Sequence, residues 1–358
     1  MNIYDNDIYK SDVFYATEYD LPWSALKDKS IMITGATGLV GSFLIDVLID
    51  RNERFGLNAS IIAVARDQRK FEDRFSNYKG YDKLRFFRHD VSEPFDENTI
   101  SDVDYILHLA SNTHPRLYSQ DPIGTITTNV LGTKHLLDFA ATHNTKRFLL
   151  ASSNEIYGEN RGDVEFFDET YCGFIDCNTL RAGYPESKRC SEAMCQAYKR
   201  QKGIDVVIAR LTRCYGATLL KSDSKALSQF IGKAIAGEDI VLKSSGNQFF
   251  SYIHVVDAVT GILSILLKGE SGEAYNIADS ESDIRLKDLA GLIAGYMNKK
   301  VIFEIPDSIE SAGYSKATKA RLSSDKIRGL GWQAKYSIDR GVTQTIDILR
   351  SIDSVMEI

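Results

Sequence analysis

Tyr184 and Lys188 stand four residues apart in the run Arg181-Ala-Gly-Tyr-Pro-Glu-Ser-Lys188. On a helix that spacing puts a phenol and an ammonium on one face. A neighbouring positive charge favours phenolate, so the pair is suited to taking a proton from a substrate hydroxyl. The same spacing also describes an exposed helix face, so other residues must choose between the two. Gly35-Ala-Thr-Gly38-Leu-Val-Gly41 is the second such run. Glycines at this spacing serve a tight turn, close approach of backbone to a pyrophosphate, and close helix-to-strand packing, or a turn without a ligand.

These residues need a frame to meet. Ile31-Met32-Ile33 reads as a short buried strand, and the glycine run leads into a helix with Leu44, Val47 and Leu48 facing inward. Strand-like runs recur at Ile61 to Ala65, Leu84 to Phe87, Tyr105 to Leu109, Phe148 to Ser152 and Val206 to Leu211, with helical patterns between most of them. Such alternation predicts an α/β fold with a doubly wound parallel sheet. After Tyr215-Gly216 the pattern is more interrupted: a helix at Phe230 to Ile235, a strand at Asp239 to Leu242, an apolar helix at Val255 to Leu267, a strand at Tyr275 to Ala278 and a helix through Leu289, Leu292 and Ile293. These pieces predict a smaller mixed α/β substrate lobe over the carboxyl ends of the sheet. The expected organisation is an extension over 1–29, packed on the body or partly ordered, a dinucleotide-binding domain mainly over 30–215, and a lobe mainly over 216–358, with the chain crossing between the two.

Strand two ends in Arg66-Asp67, where a dinucleotide-binding unit places an acid for the adenosine ribose. Arg66 suits a 2′-phosphate or stacks on adenine, Asp67 can serve a ribose, and the two can also form a surface ion pair. NAD and NADP both stay open. Asp90 and Val91, closing strand three, can reach the adenine edge, and His108-Leu109-Ala110-Ser111 closes strand four where the cofactor must pass.

With 358 residues the chain has room for a sizeable core, and 43% hydrophobic against 26% charged residues is ordinary for a globular protein. A net charge of -6 with no basic run argues against nucleic acid. The cysteines Cys172, Cys177, Cys190, Cys195 and Cys214 form no CxxC pair, which favours reduced thiols in the cytoplasm over zinc or disulfides, and metal ligation is not expected. The amino terminus lacks the blocks of a signal peptide, and no apolar run is long enough to span a bilayer.

Taken together the motifs resemble the extended short-chain dehydrogenase/reductases, specifically the NAD-dependent epimerase/dehydratase family of nucleotide-sugar enzymes. The resemblance covers roughly residues 30–350. It rests on Gly35, Gly38 and Gly41, His108 to Ser111, Asn129-Val-Leu-Gly-Thr133, Ser152 to Gly158, Tyr184 and Lys188, Arg210 to Gly216, Tyr252 to Asp257 and Leu330-Gly-Trp332. It implies a Rossmann-type sheet, with the cofactor held by Gly35, Thr37, Gly38, Leu39, Val40, Gly41, Arg66, Asp90, Val91, Leu109, Ala110, Ser111, Asn129, Tyr184 and Lys188. It implies that Tyr184 takes the proton of the sugar 4-hydroxyl, that Lys188 holds the ribose and lowers the tyrosine pKa, and that Ser153 aligns the same hydroxyl.

The run Ser153-Asn154-Glu155 and the segment Leu180 to Arg189 are most similar to UDP-glucuronate decarboxylases. Asn154 cannot donate a proton as a carboxylic acid would, which counts against 4,6-elimination. Glu155 is assigned to C5 or to a salt bridge, and Arg181 to the substrate. Arg213 stands where the resemblance puts asparagine, and Phe250, in Gln248-Phe249-Phe250, where it puts arginine. Arg213, Gln248, Lys319 and Arg321 are therefore the candidate groups for phosphate or carboxylate. The expected partners are a nucleotide-sugar and a second copy, the homodimer forming through the helices after Thr133 and at Tyr184. A 4-epimerase or 4,6-dehydratase is the alternative, and a dinucleotide-binding redox sensor or scaffold the alternative of another class.

Overall fold

Seven strands pair side by side into one parallel sheet; those in its middle are almost wholly buried and read as apolar runs, whereas the edge strand Leu84–Arg88 carries two arginines and has no fully buried residue. The computed structural model describes residues 2–95, 100, 103–113, 120–220, 223–304 and 318–353, and every candidate site residue lies among them. The strands are β1 (Ser30–Thr34), β2 (Ser60–Ala65), β3 (Leu84–Arg88), β4 (Tyr105–His108), β5 (Arg147–Ser153), β6 (Val206–Leu211), β7 (Arg213–Tyr215), β8 (Ile240–Leu242), β9 (Phe249–His254), β10 (Ala274–Ile277), β11 (Asp283–Arg285), β12 (Val301–Phe303) and β13 (Lys319–Ala320). The helices used below are α1 (Asp7–Glu18), α2 (Leu39–Phe55), α3 (Gln68–Arg74), α4 (Pro122–Thr142), α5 (Gly183–Lys202), α6 (Ala226–Ile235), α7 (Val255–Lys268), α8 (Leu286–Tyr296), α9 (Asp325–Arg328) and α10 (Ile338–Asp353).

The large sheet runs β10-β6-β5-β4-β1-β2-β3, every pair parallel. Strand period two divides its side chains between two cores. Ile31 and Ile33 join a core with α1, α2 and α7, whereas Met32 between them faces one with α4 and α5. The order reverses between β1 and β4, and the crevice beyond the carboxyl ends there is the ligand position of open α/β sheets. The turn after β1 and the exit of β4 both open into it.

A second sheet, β11-β9-β13 with β7 also on β9, packs with α6, α8 and α10 around a separate core. Two elements that the sequence assigns to this lobe belong elsewhere. Helix α7, buried at every residue from Val255 to Leu266, lies in the core of the large sheet, and β10 pairs with β6. A helix apolar on nearly every side is covered, but its sequence does not say by which core.

The amino-terminal extension is ordered. Asn6 caps α1 by accepting from the Tyr9 amide at 2.9 Å. Asp46 of α2, fully buried, accepts from Tyr4 Oη at 2.8 Å and from Tyr9, and pairs with Arg74 at 2.5 Å. Asp12 accepts from Tyr336 and, at 2.8 Å, from Gln344 Nε2 of α10, which ties the two ends of the chain together. The helix escapes notice in the sequence because its buried side includes tyrosine and aspartate rather than an aliphatic stripe.

Candidate active site

Helix α5 turns Tyr184, Ser187, Lys188, Ser191 and Cys195 to its buried side, the i, i+3, i+4, i+7 pattern of a covered stripe. Tyr184 and Lys188 are thus on one face and both buried, and the exposed-face alternative is excluded. The stripe seats against α4 through small polar groups. Asn129 Nδ2 donates to Ser187 Oγ at 2.9 Å, and Thr133 Oγ1 meets Ser191 Oγ at 3.1 Å.

Parallel β4 and β5 deliver Ser111 and Ser153 to the same place, and both hydroxyls hydrogen-bond the Tyr184 phenol. The Ser111 hydroxyl also donates to Asn129 Oδ1 at 2.7 Å, while Ser153 Oγ accepts the Glu155 amide at 3.2 Å. Ser111, assigned by sequence to the cofactor alone, is therefore also a partner of the tyrosine. Its hydroxyl at a strand exit was the one available signal; the convergence with Ser153 is tertiary.

Sequence predicts a lowered tyrosine pKa, and the protein by itself does the reverse. Burial pushes Tyr184 up to about 12, with the two serine hydroxyls working against it and the Glu155 carboxylate adding to the rise. Lys188, also buried, is lowered to about 8, and its ammonium donates to the Ala151 carbonyl at 2.9 Å. His108 is held neutral, lowered to about 3 by burial and by Lys188, and meets Thr34 Oγ1 at 2.9 Å. Thr34 Oγ1 also accepts the Ala110 amide at 3.1 Å, which fixes the exit of β4. Cys214, not singled out in the sequence, lies close enough to Tyr184 to raise its pKa, and burial raises its own thiol to about 12. It stays protonated and is a wall rather than a nucleophile.

At the glycine turn a cofactor cradle can be tested atom by atom. Gly35 has φ +68°, and a Cβ there would meet Leu109 and Ala110 backbone at 2.9 Å. A Cβ on Gly41 would stand 2.4 Å from the Gly35 carbonyl oxygen. Gly38 caps α2 without a side chain, and no acid occupies the first turn. A helix leaves its first amides without intrahelical partners, and with the positive end of the dipole they suit an anion. Gly35, Thr37, Gly38, Leu39, Val40 and Gly41 thus fit a dinucleotide pyrophosphate. Arg66 pairs with Asp90 at 3.6 Å rather than with Asp67, whose Oδ1 accepts the Lys70 amide at 3.1 Å. Val91 is buried against Gly132 of α4.

The candidate substrate groups divide. Glu155 is bracketed by Arg181 Nη2 at 3.2 and 3.4 Å, next to the Tyr184 cluster, and Asn154 is buried beside it. Arg213 stacks on Phe250 at 3.6 Å. Gln248 precedes β9 and contacts Ser244 at 3.5 Å, and Lys319 pairs in register with Phe249. Arg321 is committed elsewhere: Asp283 at 2.7 Å and Glu165 at 3.0 Å hold it over Phe166 and Phe249. Those two carboxylates and two rings fix Arg321 on the small sheet. Among the described residues no His, Cys, Asp and Glu group could hold a metal, and no helix is long and apolar enough to cross a membrane.

The sequence profile of the NAD dependent epimerase/dehydratase family matches residues 31–278. Among curated proteins, UDP-glucuronic acid decarboxylase 1 of Danio rerio is 32% identical over 89% of this chain and 72% of its own length. UDP-glucuronic acid decarboxylase 5 of Arabidopsis thaliana is 29% identical over 87% of this chain and 86% of its own. Among solved structures, a UDP-glucuronic acid 4-epimerase from Bacillus cereus, in complex with UDP-glucuronic acid and NAD, superposes with a TM-score of 0.78 at 18% identity, covering 90% of this chain and 99% of the other. A dTDP-glucose 4,6-dehydratase from Streptomyces venezuelae with NAD bound gives 0.77 at 23% identity, covering 91% and 98%.

Proposed function

The chain belongs to the NAD dependent epimerase/dehydratase family, and on that premise we propose that it is a nucleotide-sugar enzyme that oxidises C4 transiently and decarboxylates a UDP-glucuronate-like substrate. The observation that carries the proposal is the convergence of Ser111, Ser153 and Tyr184 hydroxyls beside the glycine cradle, with Glu155 and Arg181 at its edge. The names of the relatives over most of the chain's length support the decarboxylase outcome.

NAD, the cofactor of this family, supplies when bound a hydride acceptor and a positively charged ring that favours the Tyr184 phenolate. Tyr184 takes the proton of the 4-hydroxyl, and Ser153 and Ser111 hold that oxygen and the phenol in line. The 4-ketone so formed makes the C5 carboxylate a β-keto acid. As the carbon–carbon bond breaks, carbon dioxide leaves and the electron pair moves onto the C4 oxygen, where the Tyr184 proton can neutralise it. The enol takes a proton at C5 and gives its own back to Tyr184, leaving a 4-keto pentose. That ketone would become UDP-xylose once the hydride taken from C4 is returned there and Tyr184 protonates the oxygen. Glu155, oriented by Arg181, is placed to act at C5. Asn154 in place of an acid leaves the 6-position without a proton donor. Lys188 holds the ribose hydroxyls.

Release of carbon dioxide and of UDP-xylose or its 4-keto form from UDP-glucuronate tests the reading. Recovery of UDP-galacturonate instead would assign 4-epimerisation, and no turnover across UDP-, GDP-, CDP- and dTDP-linked uronic acids would remove it. The homodimer belongs to the same proposal: Ile123, Ile126 and Leu131 of α4 are exposed at 75%, 40% and 39%, an apolar face that a second copy would cover. A cytoplasmic, reducing location is supported by five cysteines all unpaired, three of them exposed.

A further inference from the structure

Glu192 lies one turn beyond Lys188 on α5, so Tyr184, Lys188 and Glu192 form a ladder at four-residue spacing. Its carboxylate is clamped. Oε1 accepts from Ser152 Oγ at 2.5 Å and from Arg210 Nε at 3.1 Å, and Oε2 accepts from Arg210 Nη2 at 2.8 Å. The register Ser152↔Arg210 across β5 and β6 sets the two donors side by side. Arg210 is fixed in turn, because its Nη1 donates to the Tyr157 hydroxyl at 3.0 Å and to the Glu169 carbonyl at 2.8 Å. With 11% and 13% of their side chains exposed, Arg210 and Glu192 form a nearly dry, two-point pair.

Consecutive residues of β5 hold the two α5 side chains apart: the Ala151 carbonyl accepts from Lys188 Nζ at 2.9 Å, and the Ser152 hydroxyl takes Glu192. A lysine buried as deeply as Lys188 tends to lose its proton unless a negative charge stands near. Burial opposes the ammonium, and the Glu192 carboxylate supports it. The other groups facing it carry no charge in the nucleotide-free protein. His108 at the end of β4 is neutral, and burial keeps the Tyr184 phenol and the Cys195 thiol protonated. A carboxylate one turn away and free to swing would close on the ammonium and take its donors. Held by Ser152 and Arg210, it does not, and of the three ammonium donors only one is spent on Ala151.

We propose that Glu192 is a positioning residue for Lys188: clamped by Ser152 and Arg210, it keeps the lysine charged from a distance and leaves the remaining ammonium donors to the ribose hydroxyls. The inference rests on the reading of Lys188 as the group that holds the ribose. The decarboxylase outcome is independent of it.

Fluorescence titration of NADH into the full chain, stripped of bound nucleotide, tests this from pH 6 to 10. Wild type should bind evenly at low pH and lose affinity by about tenfold as the pH rises through about 8, where a charge-assisted donor becomes a neutral one. Glu192→Gln should move that midpoint down by about one pH unit, the scale of one nearby charge in a partly screened site. Glu192→Asp, which keeps the charge, should bring it back toward wild type. Urea titration reads the same group without a dinucleotide. The gain in stability of Glu192→Gln over Glu192→Gln/Lys188→Met should begin about one pH unit lower than that of wild type over Lys188→Met, because a lower folded pKa widens the window in which the unfolded state binds more protons. Should Glu192→Gln fail to fold with Arg210 left uncompensated, Glu192→Gln/Arg210→Met removes both charges and should show the same downward shift. A midpoint unmoved in these variants, with affinity and stability lowered by one factor at every pH, overturns the inference and makes Glu192 an anchor for Arg210 alone. NADH binding that is flat with pH in wild type removes the ribose role of Lys188, and the inference falls with it, while uronic-acid turnover checks the reaction separately.

Discussion

The guanidinium carbon of Arg213 lies 3.6 Å from the centroid of the Phe250 ring, across the parallel register of β7 with β9. These are the two positions at which the chain departs from the pattern it resembles, and they touch. A cation at one position and a flat ring at the other conserve a positive charge at one point of the small sheet while changing the residue that carries it. Stacking on an aromatic face holds an arginine in place while leaving its edge donors for hydrogen bonds.

Arg213→Asn should therefore weaken UDP binding about tenfold, the scale of one charge-assisted contact. Adding Phe250→Arg should restore most of it. Titration of UDP into wild type, single and double variants reads this directly; equal affinities for wild type and Arg213→Asn would show that Arg213 supports Phe250 and not the diphosphate.

Tyr184→Phe should lower kcat by about 10² to 10⁴, the range of a lost general base, with dinucleotide affinity kept. Ser111→Ala should fall between this variant and wild type, because Ser153 still reaches the phenol. A kcat for Tyr184→Phe within twofold of wild type would take the tyrosine out of the reaction.

Glu155→Gln should uncouple the steps. Reduction of the nicotinamide by UDP-glucuronate, followed at 340 nm in a single turnover, should persist, while carbon dioxide release slows by about tenfold or more. Unchanged carbon dioxide release would leave Glu155 as the salt-bridge partner of Arg181 alone.

The lysine carries a pH signature. Its folded pKa, about 8, is below the unfolded value of 10.5, so the folded state releases its proton first. Between pH 8 and 10.5 the unfolded state binds more protons, and this group's contribution to stability must rise with pH. Urea titrations of the nucleotide-free protein at pH 7.5, 8.5 and 9.5 should show wild type gaining on Lys188→Met across that window. Parallel curves would place the ammonium in water.

Removing the acid beneath the extension should be severe. Asp46→Ala leaves the half-buried Arg74 without its carboxylate and the Tyr9 hydroxyl without its acceptor, and breaking a pair whose acid is fully buried costs about 3 kcal/mol. Thermal unfolding reads it, and a melting temperature unchanged from wild type would mean that α1 docks by its apolar contacts alone.

The chain's own order determined much of this protein. The glycine run, the strands of the large sheet and the shared face of Tyr184 and Lys188 follow from spacings of a few residues, because helix and strand periodicity are local properties. Tertiary structure decided the rest. Ser111 and Ser153 reach one phenol only because β4 and β5 are neighbours, and the Tyr184 pKa rises because burial outweighs those two serine hydrogen bonds, with the Glu155 carboxylate adding to the rise. Helix α7 and strand β10 read as parts of the lobe and joined the large sheet, since apolarity records burial without naming the core. Arg321 and Arg213 look alike in sequence; Asp283 and Glu165 bind the first, while the second stacks on Phe250. Those partners lie far away along the chain, and only the closed fold brings them within the few ångströms over which charge, hydrogen bonding and stacking act.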